Sequence, residues 1–138
     1  MSDMRTSERP QPAPTDLWAE YWDACGRGEL LIQHCPACGA RQFYPRLICT
    51  TCGSTPEWER ASGRGTVYTY TVIRQNYAKP FRDLIPYVVA MIALDEGPMM
   101  MSNLTGCDTD DVTIGMPVEV WFDQGDEGVA VPYWRPAT

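Results

Sequence analysis

Apolar residues at Leu17, Trp18, Tyr21, Trp22 and Cys25 recur at helical spacing, with Glu20 and Asp23 facing the other way. The pattern predicts a short helix from Leu17 to about Cys25, capped by Thr15 or Asp16 and ended by Gly26-Arg27-Gly28. Residues 1–14 are rich in Pro and polar side chains and lack periodicity, which predicts a flexible arm. After the helix the pattern changes. Glu29–His34 reads as a short strand, and Thr66–Ile73, Tyr87–Leu94, Met99–Leu104, Val118–Phe122 and Val129–Trp134 are dense in β-branched and aromatic residues. Asp95-Glu96-Gly97-Pro98 makes a turn between two of them. The expected fold class is therefore mainly β. Five short strands suit the Greek-key barrel of an OB-fold, whereas a two-sheet sandwich usually needs about seven.

The helix is too short to be stable alone, so its aromatic face must dock on something. It either packs on its own chain, or Trp18, Tyr21 and Trp22 anchor a partner protein.

Composition narrows the classes. The hydrophobic fraction of 44% allows a core in a chain of 138 residues. No apolar run reaches the ~18–20 residues of a membrane span, and the N-terminus has no apolar signal region, so a cytoplasmic location is expected. The net charge of −7 has the wrong sign for a generic nucleic-acid binder.

Four of the six cysteines form two pairs, Cys35-Pro36-Ala37-Cys38-Gly39 and Cys49-Thr50-Thr51-Cys52-Gly53. Two residues between cysteines let both sulfurs of a tight turn face one ion, and two such pairs complete a tetrahedron. The Gly after each pair suits a backbone position with positive φ. The expected ligands of a structural Zn2+ are thus Cys35, Cys38, Cys49 and Cys52, with no coordination position left for a catalytic water. A rubredoxin-type iron site has the same geometry and stays open at this level. A thioredoxin-like redox pair lacks its βαβ context, and disulfides would need an oxidising compartment. The segment between about 29 and 60 is too small to fold on an apolar core alone, so metal binding and folding are expected to be coupled.

The remaining reactive side chains attract blander readings. His34 is expected to be an ordinary strand residue, and Cys25 and Cys107 buried thiols. Asp108-Thr109-Asp110-Asp111 lacks the Gly and closing Glu of a calcium loop. No catalytic motif is recognisable, so no catalytic residue is expected.

The flanks of the cysteine pairs carry a family resemblance. Its marks are Gly28-Glu29-Leu30, Tyr44-Pro45-Arg46, Gly63-Arg64-Gly65-Thr66-Val67, Pro86-Tyr87-Val88-Val89-Ala90, Leu94-Asp95-Glu96-Gly97, Gly115-Met116-Pro117-Val118 and Pro132-Tyr133-Trp134-Arg135-Pro136. In this order they resemble the acyl-CoA-associated proteins with a rubredoxin-like zinc ribbon and a C-terminal OB-fold, from about Leu17 to Pro136. One departure is Thr50-Thr51, where Pro is common in that family. The expected organisation is an arm (1–14), a helix (15–28), a zinc ribbon (29–60) and an OB-fold (61–138).

The resemblance implies a role. Such proteins accompany thiolase-like or lipid-transfer-protein-like enzymes, and some accompany MaoC-type hydratases. Those assemblies act on CoA thioesters by thiolytic or retro-aldol cleavage or acyl transfer, in pathways that include steroid degradation. The partner supplies the catalytic groups. By this resemblance the chain is expected to be a non-catalytic accessory subunit that stabilises its partner and helps bind acyl-CoA. The competing reading is a single-stranded nucleic-acid-binding module, with Tyr68, Tyr70 and Trp121 as stacking surfaces.

One segment is a candidate ligand loop. Residues 74–86 hold Arg74, Lys79 and Arg82 against the single anion Asp83. The loop joining the first two strands of an OB-fold commonly contacts ligand. Arg74, Lys79 and Arg82 are expected to meet the phosphates of a coenzyme A thioester, and Tyr77 and Phe81 its adenine or acyl chain. The alternative is that these cations stay solvated or face an acidic partner.

Overall fold

The structure is a computed structural model that describes residues 15–124 and 129–138. The expected arm, 1–14, lies outside the described residues. Helix α1 spans Ala19–Gly26. It starts two residues later than the periodicity predicts, and neither Thr15 nor Asp16 caps it: Trp18 takes the cap position with no side-chain hydrogen bond. The reason is local. The Trp18 N–H donates to the Thr15 carbonyl at 3.0 Å, so residues 15–18 close a separate turn before the helix begins. The C-terminus ends on Gly28 at φ 79°, where the Gly28 N–H reaches the Cys25 carbonyl and the Glu29 N–H the Ala24 carbonyl. This is the Schellman arrangement, which favours Gly at that position.

Strand β1 (Leu31–His34) lies between β2 (Arg41–Gln42) and β3 (Glu57–Arg60) in a small antiparallel sheet. The barrel follows, built from β4 (Arg64–Ile73), β5 (Tyr87–Leu94), β6 (Met99–Leu104), β7 (Pro117–Asp123) and β8 (Val131–Pro136). It closes in the order β4-β5-β6-β8-β7, with β7 returning to β4. That is the five-stranded barrel expected from the strand pattern. β6 and β8 run parallel, with Leu104 and Trp134 as their ladder pair and the Ser102 hydroxyl donating to the Pro132 carbonyl at 3.2 Å. The last strand sits two residues later than its sequence pattern, and Ala130 is buried just ahead of it. The hydrophobic pattern does not predict β2 and β3: one is two residues long, and the other has a single Trp among charged residues.

Alternation along β5 puts Val88, Ala90, Ile92 and Leu94 inside, joined by Val67, Met100, Leu104, Val118 and Trp134. The same apolar cluster contains Tyr21, Ala24 and Cys25 of α1 and Leu30, Leu31 and Ile32 of the small sheet. Helix, small sheet and barrel therefore share one interior. A second cluster of Leu84, Tyr87 and Tyr133 forms where the 74–86 loop folds back on the barrel, with Phe81, Ile85, Val89 and Trp121 packed against it.

Two glycines at the barrel entrance are sterically required. A Cβ on Gly65 would lie 2.5 Å from the Ala93 carbonyl oxygen, and Gly63 sits at φ 80° with the Val120 Cγ1 2.9 Å from its Cβ position. Nearby, the Ser62 N–H donates to the Glu96 carboxylate at 2.7 Å and the Asp95 N–H to the Arg64 carbonyl at 3.0 Å. These contacts tie the 95–98 turn to the start of β4.

Candidate metal centre and ligand loop

Each cysteine pair forms the same knuckle. The Cys35 N–H donates to the Ala40 carbonyl and the Gly39 N–H to the Cys35 carbonyl, both at 2.8 Å. The Cys49 N–H donates to the Ser54 carbonyl at 2.7 Å and the Gly53 N–H to the Cys49 carbonyl at 2.9 Å. Gly39 and Gly53 take φ 79° and 82°, as the tight turn demands.

The four Sγ atoms lie within 4.8 Å of one another. Cys35 and Cys52 are 3.6 Å apart, and Cys38 and Cys49 3.7 Å. Metal–sulfur bonds of ~2.3 Å in a tetrahedron give an edge of ~3.8 Å, so the cage fits one such ion. His34, half-buried in β1, is not among the ligand group. Among the described residues this is the only cluster able to hold a metal, and Asp108–Asp111 does not form one.

Four sulfurs this close cannot all ionise equally without a cation between them. N–H groups of Cys52 and Thr51 lower the Cys49 thiol to about 6. The hydroxyl and N–H of Ser54 lower Cys52. Cys38 accepts the Ala40 N–H, which acts downward, yet desolvation and the neighbouring sulfurs push it up to about 12. Elsewhere Cys25 is fully buried, and burial pushes its thiol up to about 12. Cys107 is half-buried, and desolvation followed by Asp111 and Asp108 raises it. Neither has the environment of a nucleophile.

The expected loop residues separate into two groups. Arg74, Lys79 and Arg82 are exposed, and none forms an ion pair among the described residues; Tyr77 is 81% exposed. Phe81 instead packs with Tyr87 at a ring separation of 6.4 Å inside the second cluster. On the helix, Tyr21 is 2% exposed and belongs to the chain's own interior, while Trp18 and Trp22 are half-buried. Of the three aromatics considered for base stacking, Tyr68 alone is exposed. Tyr70 packs on the barrel core, and Trp121 packs in the second cluster with its Nε1–H donating to Thr105 Oγ1 at 2.9 Å. They do not form one platform.

Pattern reasoning missed Gln33 and Gln42. Buried Gln33 and half-buried Gln42 link β1 and β2 to the segment leading into the second knuckle. The signal for Gln33 is an amide within an apolar strand, whereas Gln42, next to Arg41 in a two-residue strand, carries none.

Comparison with known proteins gives a consistent picture. The ChsH2 rubredoxin-like zinc ribbon domain matches residues 22–59, and the ChsH2 C-terminal OB-fold domain matches residues 58–123. A DUF35 domain-containing scaffold protein of Methanocaldococcus jannaschii is 41% identical over 72% of this chain and 74% of its own length. A probable enoyl-CoA hydratase alpha subunit of Thermomonospora curvata is 37% identical over 94% of this chain, which spans 40% of that protein's length. Among solved structures, a chain of the Ltp2-ChsH2(DUF35) aldolase is 35% identical with a TM-score of 0.82, over 93% of this chain and all of that one. No helix of the described residues is long and apolar enough to cross a membrane.

Proposed function

The chain belongs to the DUF35 family of ChsH2-type zinc-ribbon and OB-fold proteins, and from that premise we propose that it is a non-catalytic accessory subunit of a thiolase-like acyl-CoA enzyme. The observation that carries the reading is the match, along nearly the whole chain, to the DUF35 component of a two-component aldolase. The cysteine cage supports it. Its four sulfurs fill a tetrahedral ion's coordination sphere, so the ion holds the fold and activates no water. We assign that ion as zinc.

In this reading the partner supplies the reactive groups for cleavage or transfer at a CoA thioester, and this chain stabilises it. Arg74, Lys79 and Arg82 are exposed cations of the 74–86 loop, without an ion pair among the described residues, and suit the phosphates of coenzyme A, with exposed Tyr77 in the same loop. Phe81 acts by fixing the loop on the barrel.

Reconstitution tests the reading. The purified chain alone is expected to turn over no CoA thioester, and a thiolase-fold subunit is expected to gain stability and activity when the chain is added. Turnover by the isolated chain would overturn the proposal. Within the complex, changing Lys79 and Arg82 to Ala is expected to weaken acyl-CoA binding by ~10-fold at low salt, two charge-assisted contacts being lost. Unchanged affinity would remove the loop from the ligand site.

A further inference from the structure

Beyond Arg64, which opens β4, the outer face of β4, β5 and β6 carries no charge. Residues 66–73, 87–94 and 99–104 contain no Asp, Glu, Lys or Arg, in a chain that is 21% charged. The strand register lines up Thr66, Ala93 and Met99 in one row and Thr69, Met91 and Met101 in the next. A bulge between Val67 and Thr69 turns Tyr68 out beside the second row, 57% exposed. Met101 is also 57% exposed and Met99 36%. The neighbouring strands differ: the outer positions of β7 and β8 carry Glu119 and Arg135, ion-paired at 3.5 Å.

A sheet face that meets only water normally alternates apolar-in with polar-out. Methionine at the outward positions of two adjacent strands breaks that rule. Loss of charge with gain of Met and Tyr is the composition found at the centre of protein interfaces, where the thioether adapts to the facing surface.

The patch continues beyond the barrel. The Met101 N–H donates to Tyr44 Oη at 3.1 Å, the Tyr44 ring lies 6.3 Å from Trp18, and Trp18 stacks on Trp22 at 6.3 Å. An apolar surface thus runs from the half-buried tryptophans of α1, across Tyr44, to the methionines of β6 and β5. Tyr44 also occupies the outward N–H of β6, which opposes extension of the sheet there by a strand of a second copy. The rows from Thr66 to Met101 hold no cation for a phosphate backbone, and Arg64 at their border pairs in register with Glu119 of β7.

We infer that this face, from Trp18 across Tyr44 to Met101, Met99, Met91 and Tyr68, is the seat of the thiolase-fold partner subunit. The inference rests on the partner reading above and deepens it by naming the surface. The matching surface on the partner is apolar and poor in charge at its centre, with a polar rim.

The chain with isotope-labelled methionine methyls is titrated with purified Ltp2 as the probe. Met91, Met99 and Met101 are expected to shift on binding, while Met100, 3% exposed inside the barrel, stays in place. A Met99→Glu/Met101→Glu variant is expected to bind Ltp2 at least ~10-fold more weakly, as charges buried at an interface centre do, with the Met100 resonance and zinc content unchanged. A complex that forms with the three methyls unmoved, or with full affinity in the variant, overturns the assignment alone. Concentration-dependent shifts without Ltp2 would assign the face to a second copy and overturn it too. Absence of any complex would remove the partner reading and the seat together.

Discussion

Gln33 grips the backbone of Arg46 from both sides: its Nε2 donates to the Arg46 carbonyl at 2.9 Å, and its Oε1 accepts the Arg46 N–H at 2.8 Å. One side chain thereby makes the two bonds a neighbouring strand would make. Gln42 joins in, donating to Gln33 Oε1 at 2.7 Å and accepting the Thr50 N–H at 3.0 Å. The path from Arg46 to Thr50 is thus fixed on β1 and β2, and this path delivers Cys49 opposite Cys38. These two amides help position the second knuckle.

Replacing Gln33 by Leu nearly keeps the size of the side chain and removes both bonds to Arg46 as well as the one from Gln42. It leaves the Arg46 N–H and carbonyl without these partners, at a cost of ~1–3 kcal/mol. Urea unfolding measures the loss. Competition with a chromophoric chelator is expected to show faster zinc release than in the parent. Equal release rates would show that the ion alone sets the cage.

The metal is expected to be colourless zinc at one equivalent per chain, and a red protein would assign iron instead. Cys38→Ser, or strong chelation, is expected to unfold the ribbon and destabilise the chain by ~3 kcal/mol or more. Backbone NMR of residues 31–60 follows it directly. Unchanged ribbon shifts after chelation would refute the coupling of metal and fold.

Burial of Cys25 predicts alkaline sensitivity. Its thiol is raised from about 9 to about 12, so the unfolded chain releases a proton that the folded chain keeps. The associated stability is fully present below pH ~9 and is lost as pH rises towards ~12, by at most ~1.4 kcal/mol per pH unit. Tyr21, also raised by desolvation and by Cys25, acts in the same direction. Denaturant unfolding at pH 8 and pH 10 is expected to show a smaller drop for Cys25→Ala than for the parent. Equal drops would place the thiol in a less buried setting.

Gly65→Ala is expected to cost ~2–3 kcal/mol, because the added methyl meets a backbone carbonyl that cannot step aside without opening the β4–β5 ladder. Gly115→Ala provides the contrast. No atom lies within 4 Å of its Cβ position, and the strain there comes from φ 89° alone. Thermal unfolding of the two variants separates crowding from conformation.

Much of the barrel is legible in the sequence because its strands are dense in β-branched and aromatic residues, and β5 alternates from Val88 to Leu94. β5 and β6 begin and end where their patterns do, and inward Val88, Ala90, Ile92 and Leu94 give the period directly. The knuckles are legible because metal geometry fixes the spacing of their cysteines and glycines. Other features depend on tertiary contacts that periodicity does not encode. The Thr15 carbonyl diverts the helix start, β2 exists through two residues paired with β1, and Phe81 turns inward because a second cluster waits beneath its loop. The charge-free stretches 66–73, 87–94 and 99–104 are written in the sequence too, yet their meaning needs the register that brings Met91 beside Met101.

The interior shared by Tyr21, Ile32 and Trp134 means that the described residues offer no seam along which the chain could be halved. A fragment cut near residue 60 would bare the surface its other half had covered, and would invite aggregation or proteolysis. Zinc scarcity would therefore be felt well outside the ribbon: losing four sulfur bonds at one end would loosen the floor on which the distant barrel rests.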